Sequence, residues 1–289
     1  MKKPFIIGVI VFVAILAIGY GVVVSNLSGP KVEGKRVVVW TEELASRDGA
    51  VREKAKQSLQ SNVKEFLPHL AGMMNAKDSE ERQKWSTVLK VEYVPAYGLR
   101  LSANRAISFL GASAAPIIPQ LIPLLGDKDA GLDTAGALAS IGKDAIPALT
   151  ESFKSSDAQV RAMAAAAFAR MKTGEGVSAS DALMKGLQDP DGNTRSWMAK
   201  AVGKAQVNPE MAIPALIALL DDKDTGVVAN SASALGSYGA KSKEALPILQ
   251  KLAKSRNEEI SGAAQGALLQ INASTEDAAP AAEKSAEAK

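Results

Sequence analysis

One phrase recurs along the chain, and this recurrence constrains the fold more than any other feature. Each copy holds a proline, an apolar run and an aspartate-rich turn, as in PALIALLDDKDTGV at 214–227. A second apolar run follows, and its central residue returns at intervals of 30, 18, 31, 30, 34, 33 and 33 residues: Leu59, Leu89, Ile107, Leu138, Phe168, Val202, Leu235 and Leu268. Self-similarity at such a period predicts a repeat architecture with one irregular interval.

The apolar residues within one copy keep the period of a helix. In QVRAMAAAAFARM they fall at Val160, Met163, Ala167 and Met171, on one helical face. The other half of a copy, as in AIPALIALL, predicts a second short helix with proline in its first turn. Glycines at 111, 142 and 239 stand where the chain reverses. Each copy is therefore a helical hairpin that buries its remaining apolar face against a neighbouring copy.

The turn residues predict helix caps, because a carboxylate accepts the free amide protons of a first turn. The cap slot holds Asp78, Asp129, Asp157, Asp191, Asp224 and Asn257. A second slot holds Arg52, Arg82, Arg161 and Arg195, which predicts a column of arginines. An anion-binding ladder is one interpretation of this column, but pairing with nearby turn aspartates or carbonyls is the favoured one. The turns do not match a calcium loop, which needs glutamate at its twelfth position.

These residues resemble a known family. DAQVRAMAAAAFARM and ALPILQKLAKSRNEEISGAAQGALLQI are similar to HEAT repeats, specifically the short bacterial type named after phycobilisome lyases. GKRVVVWTEELASRDGAVREKA resembles the opening of such arrays. The resemblance covers residues 34–272. It implies an all-α, right-handed α-solenoid of about six to seven helical hairpins, whose arginines pair locally with turn residues.

An N-terminal transmembrane helix is predicted before the repeats. Residues 5–24, FIIGVIVFVAILAIGYGVVV, carry no charge and are long enough to span a bilayer. A cleaved signal peptide is the competing interpretation, but its apolar region is normally shorter. Charges before and after the span are nearly balanced. A short N-terminal tail favours a single-pass protein with a cytoplasmic N-terminus and a periplasmic or otherwise extracytoplasmic repeat body.

Composition excludes several kinds of site. The net charge of +3 gives no basic footprint for nucleic acid. The chain has no cysteine and a single histidine, His69, which rules out thiolate and multi-histidine metal sites. No cofactor-binding, metal-binding or catalytic residues are predicted, and His69 is interpreted as a partly buried structural residue.

The irregular interval of 18 residues suggests that one hairpin has lost its second helix and that a loop replaces it. Trp85, Tyr93 and Tyr97 cluster there, in a chain that is only 4% aromatic. These three residues are the candidate partner-binding site, because tyrosine and tryptophan often anchor interfaces. In the alternative interpretation, the rings fill the space that the missing helix leaves.

The predicted organisation follows from these segments. A short tail at 1–4 and the anchor at 5–24 precede a linker at 25–36 and the repeat solenoid at 37–272, whose irregular junction is at 92–100. An alanine-, glutamate- and lysine-rich tail at 273–289 is predicted to be disordered.

Three classes of function fit this organisation. The favoured one is a membrane-anchored, non-enzymatic scaffold that binds a protein or peptide partner on the solenoid surface. The second is a bilin-lyase-like enzyme or a chaperone for a cofactor, which some relatives of the repeat imply. The third is a structural envelope component that associates with itself. Di-iron hydroxylase activity, known for other HEAT proteins, is excluded because the His-Glu pairs that hold iron are missing.

Overall fold

The computed structural model describes residues 30–89 and 93–286, which are mostly helical. They belong to two compact units, one ending at Leu110 and one beginning at Gly111. The predicted anchor at 5–24 lies outside the described residues. The right-handed sense of the array and the domain boundaries stay predictions.

The described part of the first unit begins with a small antiparallel hairpin, β1 (Lys31–Val32) and β2 (Lys35–Arg36), inside the segment predicted as a linker. Five helices follow: α1 (Val37–Glu43), α2 (Gly49–Ser61), α3 (Val63–Met74), α4 (Glu80–Leu89) and α5 (Ala96–Leu110). Helix α5 packs on α1, α2 and α3. Helix α1 carries the buried Trp40, in the segment that resembles the opening of HEAT arrays.

Polar contacts join the hairpin of the first unit to its helices. The Trp40 Nε1 donates to the carbonyl oxygen of Val32 at 2.9 Å, and its buried ring lies 3.6 Å from the Lys35 Nζ. Glu33, at the tip of the hairpin, accepts hydrogen bonds from Ser58 and Asn62 of α2. These two hydrogen bonds lower the pKa of the Glu33 carboxyl below its usual range. The segment before α1 is therefore an ordered part of the unit.

The second unit continues the series of helical pairs. Its α-helices are α6 (Ile118–Leu121), α7 (Gly131–Ile141), α8 (Ile146–Ser152), α9 (Ala158–Arg170), α10 (Ser180–Gly186), α11 (Gly192–Ala205), α12 (Pro209–Ala218), α13 (Thr225–Ser237), α14 (Leu246–Leu252) and α15 (Glu258–Ala286). Short 3-10 segments lie at 111–117, 122–126, 142–145, 175–179, 219–221 and 239–245. Helices α7, α9, α11, α13 and α15 are the first helices of successive repeats, and each packs on the next.

Small residues let the first helices approach closely. Helix α9 is a run of buried alanines interrupted by Met163 and Phe168. Glycines serve the same purpose further along: a Cβ built on Gly203 of α11 would lie only 2.8 Å from the Cβ of Ala234 on α13. The core of the second unit is therefore aliphatic and alanine-rich, as composition predicts.

We expect alanine at Gly203 to destabilise the protein, although alanine favours helix by about 1 kcal/mol over glycine. The added methyl group would meet the Cα of Ala234 at 2.9 Å, and overpacking of this kind costs about 1–3 kcal/mol. Gly262 on α15 is the matched control, because nothing lies within 4 Å of its Cβ position. Urea unfolding should show the two alanine variants shifting stability in opposite directions. Equal shifts would contradict the close approach of α11 and α13.

Most predicted turn signals are confirmed, with three corrections. Asp224 precedes α13 as its N-cap residue, but its side chain accepts no cap hydrogen bond and accepts from Arg195 instead. Gly111, Gly142 and Gly239 have φ of +53°, +83° and +57°, which only glycine adopts without strain. The predicted cap Asp129 does not cap α7; instead, Oδ1 of Asp127 accepts from the amides of residues 129 and 130. Pro214 is not in the first turn of its helix, because α12 begins earlier, with Asn208 as its cap and Pro209 at its first position.

The C-terminal helix differs from the predicted disordered tail. Helix α15 is continuous from Glu258 to Ala286. Six of the residues in 273–286 are alanine, the residue most compatible with helix, whereas Pro280 lacks the N–H that a helix interior needs. The composition of this segment therefore fits an extended helix as well as a disordered tail.

Among the described residues, one helical run, 96–126, is long and apolar enough to cross a membrane by length and composition. Its first part is α5, in which Ala103, Ala106 and Ile107 are fully buried against the first unit. Helix α5 is therefore a core helix of that unit.

Candidate partner-binding site

In the irregular interval, extra residues lie between the turn that follows α3 and the helix that this turn contacts, α5. In three regular repeats, Asp48, Asp157 and Asp191 accept from amides in the first turn of the helix that follows directly. Asp78 reaches α5, because its Oδ1 accepts the backbone amide of Ala96, 18 residues away, at 2.8 Å. The turn after α3 is therefore completed by α5.

The arginine slot gives an independent measure of the same insertion. Nη1 of Arg52, Arg161 and Arg195 donates to the carbonyl oxygen six residues earlier in each case. In α5, Nη1 of the buried Arg100 donates to the carbonyl oxygen of Ala76 at 3.1 Å, 24 residues earlier. The contact has the same form, with 18 extra residues between its partners.

These hydrogen bonds favour a different interpretation from the predicted loss of a second helix, with α5 rather than α4 in the first-helix position. Joining Asp78 directly to Tyr97 gives D-Y-G-L-R-L-S-A-N-R-A-I-S-F-L-G, which restores the spacing of the other repeats. Residues 79–96 are an 18-residue insertion that contains α4. The first-helix slots belong to Leu99, Arg100 and Ile107, whereas the residues assigned to them by spacing, Glu81, Arg82 and Leu89, lie on the insertion.

The structure places the three candidate residues in or beside this insertion. The hydroxyl of Tyr93 donates to Oδ1 of Asp78 at 2.7 Å, the same oxygen that receives the Ala96 amide. Tyr97 is 63% exposed at the start of α5, so its ring does not fill a gap. Trp85 is on α4, and its side chain lies outside the part of the structure that is described. The partner-binding role of all three residues stays a prediction.

Sequence reasoning missed two apolar residues near Tyr97. Val88 on α4 is 61% exposed, and Leu101 on α5 is 45% exposed. Leu101 follows Tyr97 by four residues, so the two side chains share one face of α5. With α5 in the first-helix position, Arg100 occupies the arginine slot, and Tyr97 and Leu101 flank it on the same helix. The corrected repeat register would therefore have identified these two residues as a pair.

Arg52, Arg161 and Arg195 pair locally, which confirms the favoured interpretation for these three members of the column. The side chain of Arg82 lies outside the described part of the structure. Arg161 makes a two-pronged ion pair with Asp189, and Arg195 makes one with Asp222 at 2.8 Å for both bonds. Arg195 also donates to Asp224 and to the carbonyls of Asp189 and Pro190. Each of these two arginines therefore ties its own turn to the next turn, and the guanidinium groups are occupied by the protein itself.

Turn carboxylates that resemble calcium ligands are likewise engaged within the fold. Asp189 and Asp222 each accept an amide two residues later in addition to their arginine. In the described residues, no group of three His, Asp or Glu side chains is arranged to hold a metal ion. His69 is half-buried on α3.

Open grooves lie beside the second helices in the second unit. One of about 310 Å³ lies between α8 and the 3-10 segment at 175–179. A groove of about 350 Å³ lies between α10 and α12. Another, of about 770 Å³, lies between the start of α12 and the 3-10 segment at 239–245. The second helices thus present repeated solvent-open surfaces, whereas the first helices pack directly on each other.

Comparison with known proteins agrees with this geometry. Residues 180–269 match the family model described as HEAT repeats. A search of curated proteins finds no match. Among solved structures, a Kap95p complex with RanGDP is similar with a TM-score of 0.57 and 14% identity, over 86% of this chain and 34% of that chain.

Two further similar structures have lower TM-scores. A designed armadillo repeat protein in complex with the peptide (KR)4 has a TM-score of 0.40 and 22% identity, over 81% of this chain and 99% of that chain. An engineered protein has a TM-score of 0.41 and 23% identity, over 83% of this chain and 68% of that chain. The matched repeats and the likeness to Kap95p together show a helical-repeat fold of the HEAT and armadillo type.

Proposed function

We propose that this protein is a membrane-anchored, non-enzymatic HEAT-repeat scaffold that binds a protein or peptide partner on its repeat surface. The observation that supports it is the series of open grooves beside the second helices of the second unit. Helical-repeat folds of this kind present long, exposed binding surfaces built from many small units. In the described residues, the ion-paired arginines and the capping aspartates contribute to packing and turn formation.

The repeat subtype and the membrane attachment belong to the same proposal. The pattern of DAQVRAMAAAAFARM supports the short phycobilisome-lyase type of repeat found in bacteria. The uncharged segment 5–24 anchors the chain as a single span, with its N-terminus in the cytoplasm and its repeats on the extracytoplasmic side. Protease added to spheroplasts, in which the cell envelope outside the inner membrane has been opened, should then degrade the repeat body. Protection of the body until the spheroplasts are lysed would place it in the cytoplasm.

Purification in mild detergent tests the scaffold function. The full chain should co-purify with a protein of different sequence in a fixed ratio, measured by light scattering after size exclusion. The matched control is segment 1–36 fused to an unrelated soluble domain, which should not retain that protein. Association of the chain with itself alone would favour a structural component. A bound pigment that absorbs visible light would favour the lyase or cofactor-chaperone alternative.

A further inference from the structure

Three consecutive first helices of the second unit contain basic residues but no acidic ones. Neither aspartate nor glutamate occurs in α9, α11 or α13, whereas α7 contains Asp133 and α15 begins with two glutamates. The basic residues of the three helices are Arg161, Arg170, Arg195, Lys200 and Lys204. Arg161 and Arg195 are engaged by their ion pairs with turn aspartates. The charge of this surface is therefore set by Arg170, Lys200 and Lys204.

Two of these cations flank one half-buried tryptophan, and the third lies one helical turn away. Trp197 is on α11, and α9 packs directly against this helix. The guanidinium carbon of Arg170 lies 5.0 Å from the centre of the indole ring, and the Lys200 Nζ lies 5.4 Å from it. Lys204 follows Lys200 by four residues, on the same face of α11. In the part of the chain that the structure describes, neither lysine makes an ion pair. Arg170, Trp197, Lys200 and Lys204 together form a basic patch.

Folding alone does not account for the basic patch. Arg170 and Lys204 lie in the last turns of their helices, where the helix dipole favours a cation. Lys200 gains nothing from that dipole, and two lysines four residues apart repel each other and destabilise a helix. Partial burial lowers the pKa of the Arg170 guanidinium, although the charge of Asp133 on α7 acts in the opposite direction. A negative group supplied by another molecule would therefore stabilise all three cations.

The size of the basic patch indicates which anion it fits. Proteins bind nucleic acid through roughly 6–10 phosphate contacts, and anionic membranes through clusters of about 4–8 lysines and arginines. The basic patch has three cations, and the turn after α9 adds one lysine and one glutamate, Lys172 and Glu175, which cancel. A short acidic stretch of polypeptide needs only a few charge-assisted hydrogen bonds, and the indole ring offers apolar contact to the side chains between its carboxylates.

We propose that the basic patch docks an acidic segment of a partner protein, whose carboxylates pair with Arg170, Lys200 and Lys204. The site goes beyond the grooves beside the second helices, because it lies on the first helices and selects a partner by its charge. It rests on the scaffold function proposed above only in that the partner is a protein.

The variant Lys200→Gln/Lys204→Gln tests whether the two lysines serve the fold. The full chain with these substitutions should melt no lower than the parent, because a pair of like charges is removed from one helix face. The matched control is Lys251→Gln/Lys254→Gln, which removes two exposed lysines at the end of α14. A melting temperature more than about 4 °C below that of the parent in the first variant alone would assign the lysines to folding and overturn the proposal.

A fluorescein-labelled polyglutamate peptide is the probe for the charge of the basic patch. Its Kd for the full chain in mild detergent, measured by fluorescence anisotropy, should rise more than about fivefold in Lys200→Gln/Lys204→Gln, because two charge pairs are lost. The control Lys251→Gln/Lys254→Gln should keep Kd within about twofold. For the parent, Kd should rise between roughly 0.05 and 0.5 M NaCl, and a polyglutamine peptide of the same length should not bind. Equal Kd values for the two double variants, or binding that salt does not weaken, would overturn the proposal.

Crosslinking in cells separates this proposal from the scaffold function. A photoreactive phenylalanine derivative replaces Asn193, which is exposed one turn before Trp197 on α11, or Met211, which is exposed on α12. Position 193 should capture a protein through a segment rich in aspartate and glutamate, identified by mass spectrometry, and Lys200→Gln/Lys204→Gln should abolish the capture. Capture of lipid, of nucleic acid or of a segment without acidic residues at position 193 would overturn the proposal. A protein captured at position 211 alone would leave the scaffold function standing and overturn the basic patch as a docking site, whereas no protein at either position would count against both.

Discussion

Replacing Arg195 with methionine is expected to lower the free energy of unfolding by about 3–5 kcal/mol, the usual cost of removing one partner of a buried ion pair. The Arg195 guanidinium and the Asp222 carboxylate are each only 10% exposed, and two hydrogen bonds of 2.8 Å join them. Without the arginine, Asp222 stays buried with much of its charge uncompensated. Denaturant unfolding monitored by circular dichroism measures the loss.

Arg52 provides the matched control, because it occupies the same slot of another repeat. Its Nη1 donates to the Ser46 carbonyl at 2.7 Å. We expect Arg52→Met to cost about 1 kcal/mol, the typical contribution of one hydrogen bond. Equal losses for the two variants would show that the ion pairs add nothing to the carbonyl contact.

The effect of Arg195→Met should also depend on pH. Hydrogen bonds from Arg195 lower the pKa of the Asp222 carboxyl, although burial acts in the opposite direction. A carboxyl whose pKa is lowered in the folded state adds stability above its unfolded pKa, about 4, and loses it as pH falls through the folded pKa. The parent and the variant should therefore converge in stability below about pH 4. A difference that stays constant from pH 7 to pH 2 would contradict this origin of the effect.

Trp40→Ala is expected to cost about 3–5 kcal/mol and to act on the first unit. The ring is buried, donates to the Val32 carbonyl and lies against Lys35, so its loss opens a cavity and frees the β-hairpin. Hydrogen exchange should show faster exchange in α1, α2 and α5, while α11 and α13 keep their protection. Trp40→Phe keeps most of the volume, loses only the hydrogen bond and should cost about 1 kcal/mol. Uniform loss of protection over both units would contradict a local role for Trp40.

Sequence rules predicted the helix caps and chain reversals, because these features depend only on residues that are close in sequence. Caps such as Asp157 and Asp191 and the reversals at Gly142 and Gly239 need only a short stretch of chain to form, so their residue types identify them. At 212–220, the repeat alignment gave Pro214 the first turn, although Asn208-Pro209 is the stronger start signal for a helix.

The insertion could not be recognised by the same rules. Asp78 is followed by Ser79 and Glu80, which has the appearance of an ordinary cap before α4, so the spacing assigned α4 to the first-helix position. The hydrogen bonds that identify α5 instead join residues 18 and 24 positions apart. The exposure of Tyr97 and Leu101 depends on the assignment of α5 to the first-helix position. The sequence therefore predicted the aromatic cluster but not the exposed Leu101 beside it.

The line of arginines has a consequence for motion in the second unit. Arg161 and Arg195 connect three consecutive turns through hydrogen bonds to Asp189 and Asp222, so pulling these turns apart breaks paired charges. Widening the spaces beside α10 and α12 moves surfaces that already face solvent. The second helices are therefore expected to move apart and together by rotating about the arginine-linked turns, which act as a shared hinge. A single bending motion would then change the width of several neighbouring grooves at once.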